Sequence, residues 1–307
     1  MGENKGTYRG THLLFEIEGV PGRRRLKKIR NYVAVYADRL VIDVAGSCET
    51  YTKDDIDDIY IQEPLVEDID DRTVRVDLCE DENGELSYYE LDDEIFPGFT
   101  EKMEEALKNE WSHIRDKYNY PETIKWFVGC CFIVRVSSQV NPYIFSGERT
   151  VPVITRSARD NLYESWGFSD RGDLLEMLPL LLEGYSIQKN QDTESNSALR
   201  KKMERCYWAW DLQRVIWLCS LGCFCGYLSL EEALDWSLLA GQELQKRFRS
   251  WDDFLEKYLQ GYSNWAEEDV EDEESEAYER KQIYDFYMRA PNSPWSVRWD
   301  MELTKEW

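Results

Sequence analysis

Polar and apolar residues alternate along the first ninety positions, and the alternation gives way to a helical spacing just before residue 100. HLLFEIE at 12–18 alternates, and NYVAVYADRLVIDV at 31–44 is two β-rich runs broken at Ala37-Asp38, as a tight hairpin requires. CETYT at 48–52, DIYIQ at 58–62, TVRVDLCE at 73–80 and LSYYEL at 86–91 follow. The last two flank DENGE, whose Asn83-Gly84 is a strong hairpin signal. About seven short strands with close turns are predicted. Past Pro97-Gly98, the residues Phe99, Met103, Leu107, Trp111 and Ile114 recur at three- and four-residue intervals, the stripe of one amphipathic helix. Thr100 is its expected N-cap. Glu101, Glu104 and Glu105 complement the positive end of the helix dipole.

From Pro121 the β signal fades. TIKWFVGCCFIVRVSS at 123–138 is a buried segment, read as helix in preference to strand, and NPYIFSGERTVP at 141–152 is a loop. Residues 157–186 read as two helices. The first ends at Trp166-Gly167; the second is capped by Ser169 and ends at Gly184. QKNQDTESNSA at 188–198 is a polar linker. A helix over 199–226 follows, then one capped by Ser229 that ends before Ser250, then another opened by Ser250 with Asp252-Asp253 in its first turn. Residues 267–276 are nearly all acidic and read as a solvated loop, after which Tyr278, Ile283 or Tyr284, and Tyr287 resume a helical stripe. The expected architecture is α+β, with a β domain over 10–118 and a mainly helical, Trp-rich domain over 121–307.

The charge narrows the partners. A formal net charge of −24 repels duplex DNA and anionic membranes unless it is segregated, so no nucleic-acid partner is expected. Such a chain favours basic partners or simply stays dissolved. The start MGENKGTYRG lacks the apolar core of a secretion signal, and Gly6 stands where myristoylation needs Ser or Thr. The run WFVGCCFIVRV at 126–136 falls short of the ~18 residues of a spanning helix. A cytoplasmic protein with reduced cysteines is expected. Cys219-x3-Cys223-x-Cys225 invites comparison with a metal site, but its flanks are Leu, Trp, Phe and Tyr on a predicted helix, and the two histidines, His12 and His113, lie elsewhere. These cysteines read as small buried hydrophobes, and no metal or cofactor is expected.

Seven antiparallel strands and one closing helix over 10–117 resemble a pleckstrin-homology-like β-barrel or sandwich in order and length, with another small β-barrel as the alternative. RRRLKKIR lies between the first and second strands and carries Arg23, Arg24, Arg25, Lys27, Lys28 and Arg30. In lipid-binding members of that family this connection holds a phosphorylated head group, so the resemblance implies an anion-binding or partner-binding role for these six residues. Clustered guanidinium and ammonium groups suit phosphate. Against a membrane, residues 53–110 hold 22 acidic and five basic residues, a net of −17. The preferred reading is therefore a contact with the same domain or with a protein.

The helical region carries an ordered series of residues: Trp166-Gly167, Leu174 to Gly184, Ala209-Trp210-Asp211-Leu212-x-Arg214, Gly222-x3-Gly226-Tyr227-Leu228, Glu232-Ala233, Phe248-x-Ser250-Trp251, Tyr258-Leu259-x-Gly261, Ser293-Pro294-Trp295 and Trp299. In this it is similar to the bacterial domain-of-unknown-function 1266 family over residues 121–299. Gly184-Tyr185 departs from the pattern, since the family often has His after that Gly. The resemblance implies a helical fold and no reaction. Gly222-x3-Gly226 reads as small residues that let helices pack closely.

Within that series Asp211 and Arg214 stand three apart on one helix face among Trp208, Trp210, Ile216 and Trp217. Buried charges must be paired, so each explains the other, and the pair reads as a structural clasp in which Arg214 also holds a carbonyl of the Ser250-Trp251 turn. The rival reading is a carboxylate-dependent hydrolase centred on Asp211 with Arg214 and Asp252, or with Asp235 or Asp253. No histidine lies in this domain, which excludes Ser/His/Asp and Cys/His catalysis within it. Three functions stay open: a non-enzymatic, immunity-like protein that binds a basic protein partner, the carboxylate hydrolase, and a sensor of anionic lipid or phosphate through residues 23–30. The first is preferred.

Overall fold

The computed structural model describes residues 12–24, 27–29, 31–44, 47–62, 72–79, 87–116, 119–138, 141–146, 152–189, 197–290 and 293–307, except the side chains of 22–24, 27–29, 115–116, 152–155, 157 and 197–202. The chain divides into two compact units, Met1–Asn119 and Tyr120–Trp307. The first is antiparallel sheet followed by helix and the second is mostly helical, an α+β chain.

The strands of the first unit are β1 (Leu13–Glu18), β2 (Gly22–Arg24), β3 (Lys27–Ile29), β4 (Tyr32–Tyr36), β5 (Arg39–Val44), β6 (Ser47–Thr52), β7 (Ile56–Gln62), β8 (Thr73–Leu78) and β9 (Tyr88–Asp92). One sheet runs β1-β4-β5-β6 and another β7-β8-β9, all antiparallel. The period-two pattern explains the sheet faces. In β8, Val74, Val76 and Leu78 are buried while Thr73, Arg75 and Asp77 are half-buried. Val33, Val35, Leu40 and Ile42 from the first sheet meet Ile59, Val74, Val76 and Leu91 from the second in one core. Among the described residues no strand of one sheet pairs with the other, so the barrel is not closed by a hydrogen-bonded ladder. Side chains join the sheets instead. The Tyr51 and Tyr89 hydroxyls meet at 2.9 Å, and both bond the Glu49 carboxylate.

The basic run, expected as a plain connection, contains two short strands. β2 and β3 pair as Gly22↔Ile29, Arg23↔Lys28 and Arg24↔Lys27. Arg25 and Arg30, and all the basic side chains of this hairpin, lie outside the described residues, as does the Asn83-Gly84 turn.

Two details of the closing helix differ from expectation. α1 (Phe99–Lys108) starts two residues early, with Gly98 as N-cap at φ 75°. The cap is provided from upstream: the Asp93 carboxylate accepts the Thr100 N–H at 2.9 Å, while the Thr100 hydroxyl is buried and donates to the Arg72 carbonyl. The stripe also breaks after Lys108. The N–H groups of Asn109 and Trp111 both turn to the Ala106 carbonyl, and Ile114 falls on α2 (Ser112–Asp116). Trp111 and Ile114 still reach the core, and the Trp111 indole donates to the Tyr36 carbonyl at 2.8 Å.

The second unit comprises α3 (Glu122–Ser137), α4 (Pro152–Trp166), α5 (Arg171–Leu182), α6 (Tyr185–Lys189), α7 (Ser197–Phe224), α8 (Leu230–Arg247), α9 (Trp251–Ala266) and α10 (Glu276–Tyr287). α4 begins five residues earlier than expected, at Pro152, because proline's missing N–H and fixed φ suit a first helical turn. α5 is capped by Asp170, not Ser169. The Asp170 carboxylate accepts from Gly172 and Asp173, while the Ser169 N–H donates to Asp173. Ser229, Ser250 and Ser275 cap α8, α9 and α10.

α7 is the axis of this unit and packs against α3, α4, α5, α6, α8 and α9. Every residue from Ala209 to Ile216 is buried. Its two glycines play different parts. Gly222 is a close approach, where a Cβ would stand 2.7 Å from Leu174, whereas Gly226 lies beyond the helix at φ 69° as its left-handed terminator. The tightest crossing is to α9, where a Cβ on Gly261 would stand 2.6 Å from the Cys206 carbonyl and 2.9 Å from the Trp210 Cβ.

The last residues are held by tryptophans. Trp126, Trp251 and Trp299 lie with ring centroids 4.9–5.0 Å apart. Their indoles donate to the carbonyls of Trp299, Val297 and Phe248, and Trp295 donates to Gly129. Among the described residues no helix is long and apolar enough to cross a membrane.

Gly261→Ala is expected to destabilise the chain by about 1–3 kcal/mol, because the backbone of α7 cannot yield as a flexible side chain would. Urea unfolding checks this, and Gly172→Ala, which meets only the Asp170 carboxylate, is the milder control. A second expectation concerns acid. Glu232 closes the α8 capping box by accepting the Ser229 N–H at 2.9 Å and takes both guanidinium nitrogens of Arg171 at 2.7 and 3.1 Å. Arg171 and the Ser229 amide together pull its carboxyl from 4.5 down to about 2. A depressed carboxyl stabilises the fold above its unfolded value, and the contribution is lost as pH falls from 4.5 toward about 2. Glu232→Gln should therefore lower the urea midpoint by a constant amount above pH 4.5 and converge with the parent chain near pH 2.

Candidate functional site

The buried middle of α7 has no water for its polar side chains, so Asp211, Gln213, Arg214 and Ser220 must find partners among its neighbours. Asp211 and Arg214 bond each other across one turn, with Asp211 fully buried and Arg214 6% exposed. A third residue completes the cluster. The Ser186 N–H donates to Asp211 Oδ2 at 2.8 Å, and the Ser186 hydroxyl donates to Oδ1 at 2.6 Å. The same hydroxyl accepts from Arg214 Nη2 at 2.9 Å. Ser186 stands in the first turn of α6, so Asp211 caps that short helix from outside it. Gly184 makes the turn into α6 at φ 81°, and its missing side chain leaves room for the Trp208 ring, 3.1 Å from where a Cβ would sit.

The Arg214 guanidinium lies 4.8 Å from the Trp210 ring centroid and 5.2 Å from that of Trp166. Its Nε has no acceptor among the described residues, and the ring faces supply the remaining stabilisation. Burial pushes the Asp211 carboxyl up, opposed by Arg214 and both Ser186 bonds, and burial draws Arg214 down against the pull of Asp211. An arginine keeps its proton in a protein, so the ion pair is the form these contacts hold together. Solvent reaches none of Asp211, and each partner of its oxygens belongs to the fold. The arrangement locks α6 onto α7.

The other expected members lie elsewhere. Ser250 caps α9 by accepting the Asp253 N–H, and its carbonyl accepts from Phe254 rather than from Arg214. Trp251 belongs to the tryptophan cluster of the C-terminal residues. The three carboxylates considered with Asp211 each have their own partners. Asp252 accepts from Tyr284, Asp253 pairs with Arg205, and Asp235 bonds Lys305 and Trp307. Arg23, Arg24, Lys27 and Lys28 are placed as backbone only, on the β2–β3 hairpin of the first unit.

Sequence reading missed a second buried cation. Arg135 of α3 is 1% exposed, donates to the Phe145 carbonyl at 2.6 Å and to the Ser220 hydroxyl, and lies over the Trp217 ring. Burial draws its pKa down to about 10. It ties residues 141–146 to α3 and α7, and Ser220 completes the tie by donating to Phe145. Its signal was present as a lone Arg in an otherwise apolar helix. The cysteines 130, 131, 206, 219, 223 and 225 are buried, and burial pushes the thiols of Cys131 and Cys225 up to about 12 and about 11. Among the described residues no group of three or more His, Cys, Asp or Glu side chains converges as a metal site would.

Asp211→Asn should cost about 3–5 kcal/mol in urea unfolding, because it leaves the Arg214 charge buried and uncompensated. Adding Arg214→Met should recover a good part of that loss. The non-additivity, read as a double-mutant cycle, measures the pair.

The comparisons place this cluster within a known family segment. No curated protein and no solved structure matches the chain. A family model does match, over residues 161–299, starting inside α4 rather than near Pro121, and it takes in α5 to α10 with Ser186, Asp211 and Arg214. That segment, less than half of the 307 residues, is similar to the family described as "Protein of unknown function (DUF1266)".

Proposed function

We propose that the protein is a non-catalytic binding module, immunity-like in kind, whose acidic surface takes a basic protein partner. The observation that carries this reading is the C-terminal end of α9. Helix C-termini carry partial negative charge and favour cations, yet the last turn of α9 holds no basic residue and the chain continues into acidic ones. Glu267, Asp269, Glu271, Asp272, Glu273, Glu274 and Glu276 are all exposed. Lys281 bonds Glu271, and Arg280 approaches Glu276 at 3.7 Å. Trp265, 61% exposed, stands beside Trp210 and Tyr262 at the head of this stretch. An exposed indole next to clustered carboxylates suits a partner's lysine or arginine side chains.

Glu267 itself supports the reading. It is the one non-glycine residue with positive φ among the described residues, at 58°, where glycine would cost about 1 kcal/mol less. A glutamate there is unfavourable for its conformation and for its charge, so stability does not explain it.

The first unit we take as pleckstrin-homology-like. The support is a four-stranded and a three-stranded antiparallel sheet sharing one core, an amphipathic helix after the last strand, and a hairpin inserted between β1 and β4.

The test is capture of partners from the native host by the full chain. A stoichiometric basic protein should be held at about 50 mM salt and released at about 500 mM, where the screening length is a few ångströms. A variant with Asp269, Glu271, Asp272, Glu273 and Glu274 changed to their amides should lose the partner. Glu267→Gly should bind it more weakly while unfolding about 1 kcal/mol later. Equal retention at both salt concentrations, or by the neutralised variant, would reject an acidic docking surface.

A further inference from the structure

Three arginines, one of them more than 40 residues from the other two, gather on one open cleft of the helical unit in a chain of strongly acidic balance. Arg205 of α7, Arg247 at the end of α8 and Arg249 in the connection to α9 line a space of about 560 Å3 together with Ser250 and Asp253. Two of the guanidinium groups are held in place. Arg205 lies over the Phe248 ring at 5.2 Å, and its Nη2 donates to both oxygens of Asp253 at 2.9 Å and to the Arg247 carbonyl at 3.4 Å. Arg247 lies over the Trp208 ring at 3.9 Å, and its Nη1 donates to the Glu243 carbonyl at 3.1 Å and to the Glu243 carboxylate. Arg249 is exposed. Its backbone N–H donates to Asp253, while its guanidinium has no partner among the described residues.

The two anchored arginines therefore use one terminal nitrogen each for the fold. The other nitrogens, and the whole Arg249 guanidinium, are left over. Fixing arginine side chains costs up to about 2 kcal/mol each in rotamer freedom, and like charges brought together repel. Asp253 and Glu243 offset two of the three charges, and that of Arg249 has no counter-charge among the described residues. The N-terminus of α9 does not account for the cluster, because Ser250 already caps it and Asp252 and Asp253 already complement its dipole.

We propose that this cleft binds a terminal phosphate group, carried by a small molecule or free. The number of guanidinium groups favours phosphate over carboxylate. One planar fork saturates a carboxylate, whereas a terminal phosphate offers three acceptor oxygens and up to two charges. The ring beneath each anchored guanidinium fixes its plane before the ligand arrives, which lowers the cost of binding. The cleft falls in the ~300–1,000 Å3 range of small-molecule sites and exceeds what a phosphate ion fills, so it has room for the organic part of an ester. The carboxylates around it disfavour polyanions such as nucleic acid, which would meet the surrounding acidic surface.

Titration calorimetry of the full chain at low salt tests the inference with inorganic phosphate, ribose 5-phosphate and AMP as probes and adenosine as the uncharged control. The expected result is saturable one-to-one binding of at least one phosphate probe, none of adenosine, and a loss of about tenfold or more in affinity in Arg249→Gln. Because the Arg249 side chain makes no hydrogen bond or ion pair among the described residues, that variant should keep the parent's thermal midpoint in the absence of ligand. Esters binding more tightly than inorganic phosphate identify a phosphomonoester ligand, and equal affinities identify the free anion. Absence of saturable binding by all three phosphate probes at millimolar concentration overturns the inference. So does affinity unchanged by Arg249→Gln.

Discussion

The helical unit is organised by the desolvation of α7. Eight consecutive buried residues leave no polar side chain on that stretch a route to water, so the neighbours must arrive in positions that satisfy them. Asp211 and Arg214 satisfy each other only in part, and the remaining valences fix where α6 begins. Ser220 and Arg135 do the same for residues 141–146. The three most buried arginines share one solution. Among the described residues, Arg135, Arg214 and Arg280 each leave Nε without an acceptor, and each lies over an aromatic ring, of Trp217, of Trp210 and Trp166, and of Tyr262. In a Trp-rich interior a ring face is the available electron-rich surface, and a weakly hydrated guanidinium accepts it where an ammonium would lose more hydration.

Tryptophan imposes a second constraint of the same kind. Each buried indole brings a large apolar surface and one N–H that wants an acceptor. The C-terminal residues resolve this by exchange: Trp295 and Trp299 donate into α3 and the end of α8, while Trp126 and Trp251 donate back to the carbonyls of Trp299 and Val297. Gly129 permits the exchange, since a Cβ there would meet the Trp251 ring at 3.0 Å. A segment with little secondary structure of its own is thus fastened by reciprocal side-chain to backbone bonds.

What could be read from the sequence was whatever is local. The period-two runs of β4, β5 and β8, the caps at Ser229 and Ser250, and the Asp211–Arg214 spacing all lie within a few residues, and each is where the pattern places it. The misreadings share a cause. Thr100 looked like a cap, but Asp93, seven residues upstream, folds back to accept its N–H. Ser169 and Asp170 are both good caps side by side, and only the path of the chain into α5 decides between them. Ser186 stands 25 residues before Asp211 in an ordinary polar context, so nothing local marks it as the third member of the clasp. Arg247 and Arg249 are neighbours in sequence, but nothing local marks Arg205 as their companion, because the packing of α7 on α8 and α9 brings it to them.

The two ends of α9 bring these strands of argument together. Its 16 residues span about 24 Å, with the arginine cleft at the N-terminal end and the acidic stretch at the C-terminal end. A helix optimised for stability would reverse those signs, with acidic residues first and basic residues last. At the N-terminus Asp252 and Asp253 restore part of that preference, so the surrounding guanidinium groups are additional to what the helix needs. At the C-terminus nothing restores it. Glu267 holds a left-handed conformation in which its carboxylate adds to the negative end of the dipole. Both departures run in the direction that strengthens the field along α9 rather than cancelling it. The guanidinium groups at one end and the carboxylates at the other are both more than the stability of α9 requires, and the proposed anion site and the proposed basic partner are the readings that account for them.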